Sequence, residues 1–190
     1  MKDQVRVLGI DDAPFKFGDV EVPIVGAMLR SPSYLEAVMT SSVTVDGDDA
    51  SAKVITMVSS SRYREQIKLI LIDGVSLGGF NVVDIGEILE RTGIPVATVT
   101  RDLPDTEEMS TALKKHFTDW ERRLDIIGGR ELRMVATKHS PLFVSSVGLS
   151  EGELVRTMEG CTVLGVLPEP IRVAHLIATA IVRGESKGDA

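Results

Sequence analysis

The chain has 190 residues, 43% hydrophobic and 26% charged, and its 21 Lys and Arg against 28 Asp and Glu give a formal net charge of −7. That length and balance fit one compact soluble domain and exclude intrinsic disorder, a collagen-like repeat and a coiled coil. The acidic sign excludes nucleic-acid binding driven mainly by bulk positive charge, and leaves room for an acidic centre rimmed by local basic residues.

In chain order, Val5 to Ile10 is short, β-branched and apolar, and ends on Asp11-Asp12, which reads as a buried strand presenting carboxylates at its C-terminal end. Val20 to Met28 and Tyr34 to Val45 read as two more strands, joined tightly enough through Arg30-Ser31-Pro32-Ser33 to be antiparallel neighbours. The turn Asp46-Gly47-Asp48-Asp49 places acids to cap a helix from Ala50 to about Tyr63. Ile67 to Ile72 is almost wholly apolar, as a central strand covered on both faces is, and it also ends on an acid, Asp73. A helix from Val82 to Arg91 stops at Gly93, Pro95 to Thr100 is the next strand, and Thr106 to Ile127 holds one or two amphipathic helices. Leu132 to Ala136 and Leu142 to Val147 read as short strands. Ser150 opens a helix to about Met158, and Pro168-Glu169-Pro170 starts a last one ending near Arg183. The expected organisation is one domain over 1–184 and a polar tail over 185–190.

The apolar runs fall short of the ~20 residues of a membrane span. The N-terminus shows no apolar signal region, and the single Cys161 can form neither an internal disulfide nor a metal cluster, so a cytoplasmic protein with no membrane partner is expected.

Three acids stand at strand ends or a helix start: Asp11, Asp49 and Asp73. Mg²⁺ and Mn²⁺ take oxygen ligands, and carboxylates converging at one edge of a sheet can hold such ions while leaving places for phosphate and water. The competing reading makes each acid an ordinary turn or cap residue. Strand alternation sends Asp12 to the face opposite Asp11, outside the first metal shell. In the glycine-rich Asp73-Gly74-Val75-Ser76-Leu77-Gly78-Gly79 the amide of Gly74 and its neighbours can bind a phosphate, although composition alone favours a plain strand-to-helix turn. His116, His139 and His175 lack zinc-like spacing, and His175 reads as a packed, hydrogen-bonded core residue.

Gly9-Ile10-Asp11, Leu71-Ile72-Asp73-Gly74, Pro95-Val96-Ala97-Thr98-Val99 and Pro168-Glu169-Pro170-Ile171-Arg172-Val173-Ala174, with Asp46-Gly47-Asp48-Asp49-Ala50 and Gly79-Phe80-Asn81-Val82-Val83-Asp84 among them, resemble an archaeal family, the domain of unknown function 99. The resemblance spans nearly the whole chain. That family is similar to endonuclease V, a ribonuclease H-like, Mg²⁺-dependent enzyme that cuts nucleic acid near deaminated purines. The resemblance implies that Asp11 and Asp73 bind metal, that Asp49 replaces a metal-binding glutamate, and that Arg101, standing where the nuclease has a lysine, contacts phosphate. It departs at three places. Gly148 is followed by Leu149-Ser150 rather than by a histidine, no strand-separating wedge precedes Asp49, and Gly79-Phe80-Asn81 replaces a His-Pro-Arg segment.

The expectation is therefore an α/β, ribonuclease H-like mixed sheet flanked by helices, similar to endonuclease V. Its function is a divergent phosphodiester hydrolase using Mg²⁺ or Mn²⁺ on Asp11, Asp49 and Asp73, with DNA or RNA, single-stranded or structured, as partner and little preference for deaminated bases. Two rivals stand beside it: a non-catalytic module that binds nucleic acid or protein, and hydrolysis of a small phosphorylated metabolite.

Overall fold

The computed structural model describes residues 4–137 and 139–187. The expected tail beyond Lys187 and the start of the N-terminus therefore lie outside the described residues. The chain opens with β1 (Arg6–Asp12), β2 (Glu21–Arg30) and β3 (Tyr34–Thr44), followed by α1 (Ala50–Ser59) and a 3-10 turn over Arg64–Gln66. It continues with β4 (Leu69–Asp73), α2 (Ile85–Thr92), β5 (Val96–Thr100), α3 (Thr106–His116) and α4 (Trp120–Gly128). The last elements are β6 (Arg133–Val135), β7 (Leu142–Val147), α5 (Glu151–Cys161) and α6 (Glu169–Arg183). Among the described residues no helix is long and apolar enough to cross a membrane.

One seven-stranded sheet runs in the order β3-β2-β1-β4-β5-β7-β6. Its centre, β1, β4 and β5, is parallel, and both sides are completed by antiparallel strands. The central strands read as unbroken apolar runs because both of their faces are covered. Leu8, Ile10, Ile70 and Ile72 pack with Val54 of α1 and Ile88 of α2. Val7, Leu69 and Leu71 point the other way, onto Leu154 and Met158 of α5 and Ile171 of α6.

Alternation along β1 fixes what each following residue faces. Gly9 faces α6, and it does so without a side chain for a steric reason: a Cβ there would lie 2.1 Å from the carbonyl carbon of Pro170 and 2.4 Å from the amide nitrogen of Ile171. The backbone of α6 rests directly on the backbone of β1. In the parallel pairing of β1 with β4, Gly9 is level with Leu71 and Ile10 with Ile72, so one further step sets Asp11 level with Asp73.

Several element ends differ from the sequence reading. Helix α1 stops at Ser59, short of Tyr63, because hydroxyls take over the backbone: Ser60 Oγ donates to Thr56 O at 2.7 Å, and Tyr63 N–H donates to Ser61 Oγ at 3.1 Å. Helix α2 starts at Ile85, since Val82 bridges to Ser76 and Asp84 caps the helix by accepting from Gly86 N–H and Glu87 N–H. The Thr106 to Ile127 stretch is two helices, parted at Phe117-Thr118-Asp119.

The contact at Gly9 generates a stability prediction. Gly9→Ala forces α6 away from β1, and overpacking of this kind costs about 1–3 kcal/mol or more. Thermal unfolding is expected to show Tm lowered by roughly 2–12 °C; an unchanged Tm would mean that the helix does not bear on the strand.

Candidate metal centre

The C-terminal ends of β1 and β4 carry Asp11 and Asp73 side by side, and α6 lays His175 over them. One ligand atom from each of the three lies within 4.8 Å of the other two. Asp11 is buried, and its carboxylate is held on both sides: Oδ1 accepts from the Asp12 N–H at 2.8 Å, and Oδ2 lies 2.8 Å from Nδ1 of His175. With Asp11 ionised, Nδ1 carries the proton and donates, which leaves Nε2 turned to other partners. That hydrogen bond raises the pKa of His175, and the charges of Asp11 and Asp73 act in the same direction.

Asp73 shows what the arrangement lacks. Its pKa is pushed up from 3.8 to about 7, first by burial and then by the negative charge of Asp11, against the partial relief given by Arg101 and His175. Two carboxylates facing one another with so little compensating charge suit a cation between them. Arg101, directly after β5, is near enough for its charge to act on both Asp73 and His175. Asp12 accepts from the Gly78 N–H through Oδ2 at 2.6 Å. Burial, partly opposed by that bond, pushes its pKa up to about 6. It nevertheless lines the same cavity as Asp11 and Asp73, close enough for the charge of Asp11 to add to that rise and for its own to raise the pKa of Asp73.

Asp49, expected at the same centre, is not brought to this group. Its Oδ1 accepts from Asn81 Nδ2 at 2.7 Å and from the Thr44 N–H at 3.1 Å, and its Oδ2 accepts from Thr44 Oγ1 at 3.1 Å. These bonds hold its pKa below 3.8. It does not cap α1 with its side chain either. The fully buried Asn81 does, accepting from the Ala50 N–H at 2.9 Å while donating to Thr44 O at 2.9 Å.

Gly74 supplies a turn at φ +74°, and its amide is not free for a phosphate because it donates to Val99 O at 2.9 Å. Two more amides of the glycine-rich loop are engaged: Leu77 N–H donates to Asn81 O, and Gly78 N–H to Asp12.

His175 is the residue that sequence reasoning misplaced. Its side chain is 35% exposed and contacts Asp11, 164 positions away, so it is neither core nor remote from the acids. The available signal was the polar stripe His175, Thr179, Arg183 at i, i+4, i+8 in a helix that is otherwise apolar beyond Arg172. The missing histidine after Gly148 therefore does not leave the centre without an imidazole.

Two measurements follow from this geometry. In the metal-free protein the native state binds the Asp73 proton more tightly than the unfolded chain, so stability falls as pH rises from about 4 to 7. Asp73→Asn is expected to raise Tm by several degrees at pH 8 and little at pH 4.5, and Mn²⁺ is expected to raise the Tm of the wild type only. A lower Tm for Asp73→Asn at pH 8 would contradict the assignment. Asp49→Ala is expected to cost about 1–3 kcal/mol in urea unfolding, with Mn²⁺ affinity by calorimetry within twofold of wild type; a tenfold weaker affinity would return Asp49 to the centre.

Comparison with known proteins agrees with the fold and with the archaeal kinship expected from the motifs. The UPF0215 protein of Methanothermobacter thermautotrophicus is 42% identical over 193 aligned residues, taking in 100% of this chain and 94% of the relative. A crystal structure of a protein of unknown function from Archaeoglobus fulgidus superposes with a TM-score of 0.84 at 36% identity, covering 95% of this chain and 99% of that one. Endonuclease V of Ciona intestinalis, in complex with a 24mer DNA containing an inosine followed by a ribo-adenosine, superposes with a TM-score of 0.57 at 17% identity over 92% of this chain and 84% of that one. Likeness at that identity bears on the fold, which is the α/β, ribonuclease H-like arrangement. Residues 3–182 match the family described as endonuclease dU, and the chain belongs to that family.

Proposed function

We propose that the protein is a divalent-metal-dependent endonuclease that hydrolyses phosphodiester bonds in DNA or RNA at Asp11, Asp73 and His175. The observation that carries this reading is the convergence of two level carboxylates and an imidazole at the C-terminal ends of adjacent parallel strands. Kinship supports it, through the family's description and through a fold shared with endonuclease V.

The donor set fits Mg²⁺ or Mn²⁺: two hard carboxylates, one of them with its pKa raised by burial and by the charge of the other, with an imidazole beside them. When bound, such an ion supplies an activated water and neutralises charge on the scissile phosphate. Asp11 and Asp73 hold it. His175 orients Asp11 through Nδ1, and in its charged form, favoured by that same bond, it holds a proton that can pass to the oxygen leaving phosphorus. Arg101 offers a bidentate fork to a phosphate oxygen beside the acids. Asp49 and Gly74 enter as scaffold, one fixing the Thr44 end of β3 and the other turning the chain after β4.

The test is cleavage of labelled oligonucleotides by the full chain with Mg²⁺ or Mn²⁺, against EDTA and Asp73→Asn. The family's description makes a strand carrying deoxyuridine the first substrate, beside inosine-containing and unmodified DNA and RNA. Expected are cutting that requires the metal, a rate at least about a hundredfold lower in Asp73→Asn, and inosine-containing strands cut no faster than unmodified ones. Full activity in Asp73→Asn would contradict the site. No cutting of any strand with either metal would contradict the reading and favour a non-catalytic binding module.

A further inference from the structure

The acids lie on the floor of an open cavity of about 730 Å³ whose two walls differ in chemistry. One wall is α6, which turns Thr179 and Arg183 to the cavity on the same stripe as His175, with Glu185, Ser186 and Lys187 beyond the helix end. The other is the start of the loop joining β1 to β2, which brings Ala13, Pro14 and Phe15 to the cavity, with Phe17 two residues further on outside its lining.

This loop has a defined shape. Ala13 N–H donates to Pro23 O at 2.9 Å, Lys16 N–H to Asp19 Oδ2 at 2.7 Å and Asp19 N–H to Lys16 O at 3.1 Å, and Gly18 takes φ +96° to close the turn. The pinned turn holds apolar surface in water: Phe17 is wholly exposed, Phe15 is 39% exposed with its ring edge towards Gly79, and Lys16 stands between them. Aromatic rings are among the largest apolar side chains and are ordinarily covered, so a rigid turn presenting two of them next to a polar cavity is a surface built to be met. The alternation of ring, cation and ring matches a polymer whose flat apolar faces alternate with negative charge.

We infer that the Phe15-Lys16-Phe17 loop is a stacking platform for unpaired nucleobases of the strand whose phosphodiester lies over Asp11 and Asp73, with Arg183 and Lys187, which line the same cavity, taking its flanking phosphates. The inference rests on the nuclease reading above and deepens it, because it names the form of the substrate. Bases inside a duplex have both faces covered by their neighbours and cannot lie on an external ring, whereas unpaired bases can. Stacking is tolerant of base identity, so the platform selects unpaired strands rather than a sequence.

The experiment uses the full chain with Ca²⁺ in place of Mg²⁺ or Mn²⁺, so that binding is read by fluorescence anisotropy apart from cutting. The probes are a single-stranded 12-mer and the matching duplex at low salt, offered to wild type, Phe17→Ala and Phe17→Trp. Because the Phe17 ring is wholly exposed, both variants are expected to keep the wild-type Tm. Phe17→Ala is expected to weaken single-strand binding about tenfold and duplex binding less than twofold. Phe17→Trp is expected to restore single-strand affinity, with its own emission quenched by the strand beyond any change from the native Trp120. Unchanged single-strand affinity in Phe17→Ala, equal losses for strand and duplex, or an unquenched indole would each overturn the platform. Cleavage by wild type and its loss in Asp73→Asn are read separately, so the platform can fail while the nuclease stands. Wild type that binds neither probe and cuts nothing overturns both.

Discussion

The contact on which the rest of the site depends is that of α6 on β1 at Gly9, where backbone meets backbone and any side chain would intrude to within 2.1 Å of Pro170. From that contact the strand advances two residues to Asp11, about 6.6 Å, while the helix advances five residues from Pro170 to His175, about 7.5 Å. The two rises nearly match, so the imidazole arrives where the carboxylate ends. A larger residue at position 9 would lift the helix and lengthen the 2.8 Å bond between Nδ1 and Asp11. The Gly-Ile-Asp sequence thus encodes a steric allowance and a charge two positions apart, and the register with β4 adds the second charge at the same level.

Acids at this end of the sheet divide by what satisfies them. Asp12 accepts the Gly78 amide, and Asp49 is held by Thr44 and Asn81, so both tie loops to strand ends. Asp11 and Asp73 instead face each other, and burial together with the charge of Asp11 pushes the pKa of Asp73 up to about 7. Stability given up at a confined pair of like charges is a common mark of a functional site. Arg123 helps hold the surrounding loops in place. Its side chain is nearly buried, donates to Gly47 O at 2.8 Å and Phe80 O at 2.6 Å, and lies over the Phe117 ring at 4.3 Å, tying α4 to two of the turns beside the acids.

Much of this was legible in the chain because local pattern and burial agreed. The uninterrupted run to Ile72 marked a two-faced central strand, and Gly93 ended α2 as expected, at φ +71°. What was not legible came from partners distant in sequence. Asp49 sits where a cap or a ligand would sit, and only Asn81, from a loop after β4, decides its use. His175 looked like core because its helix is apolar, and its partner is separated from it by nearly the whole chain. The serines after α1 carried a local signal of their own, hydroxyls competing with helix bonds, which helical periodicity masks.

The central claim is that Asp11 and Asp73, with His175 beside them, form a divalent-cation centre. Anomalous diffraction from crystals grown with Mn²⁺ tests it most directly. The account predicts a peak between the Asp11 and Asp73 carboxylates, about 2.1 Å from an oxygen of each, that is absent in crystals of Asp73→Asn. A well-ordered Mn²⁺ peak at Asp48 or Asp49 instead, or none at all with both carboxylates ionised, would contradict it.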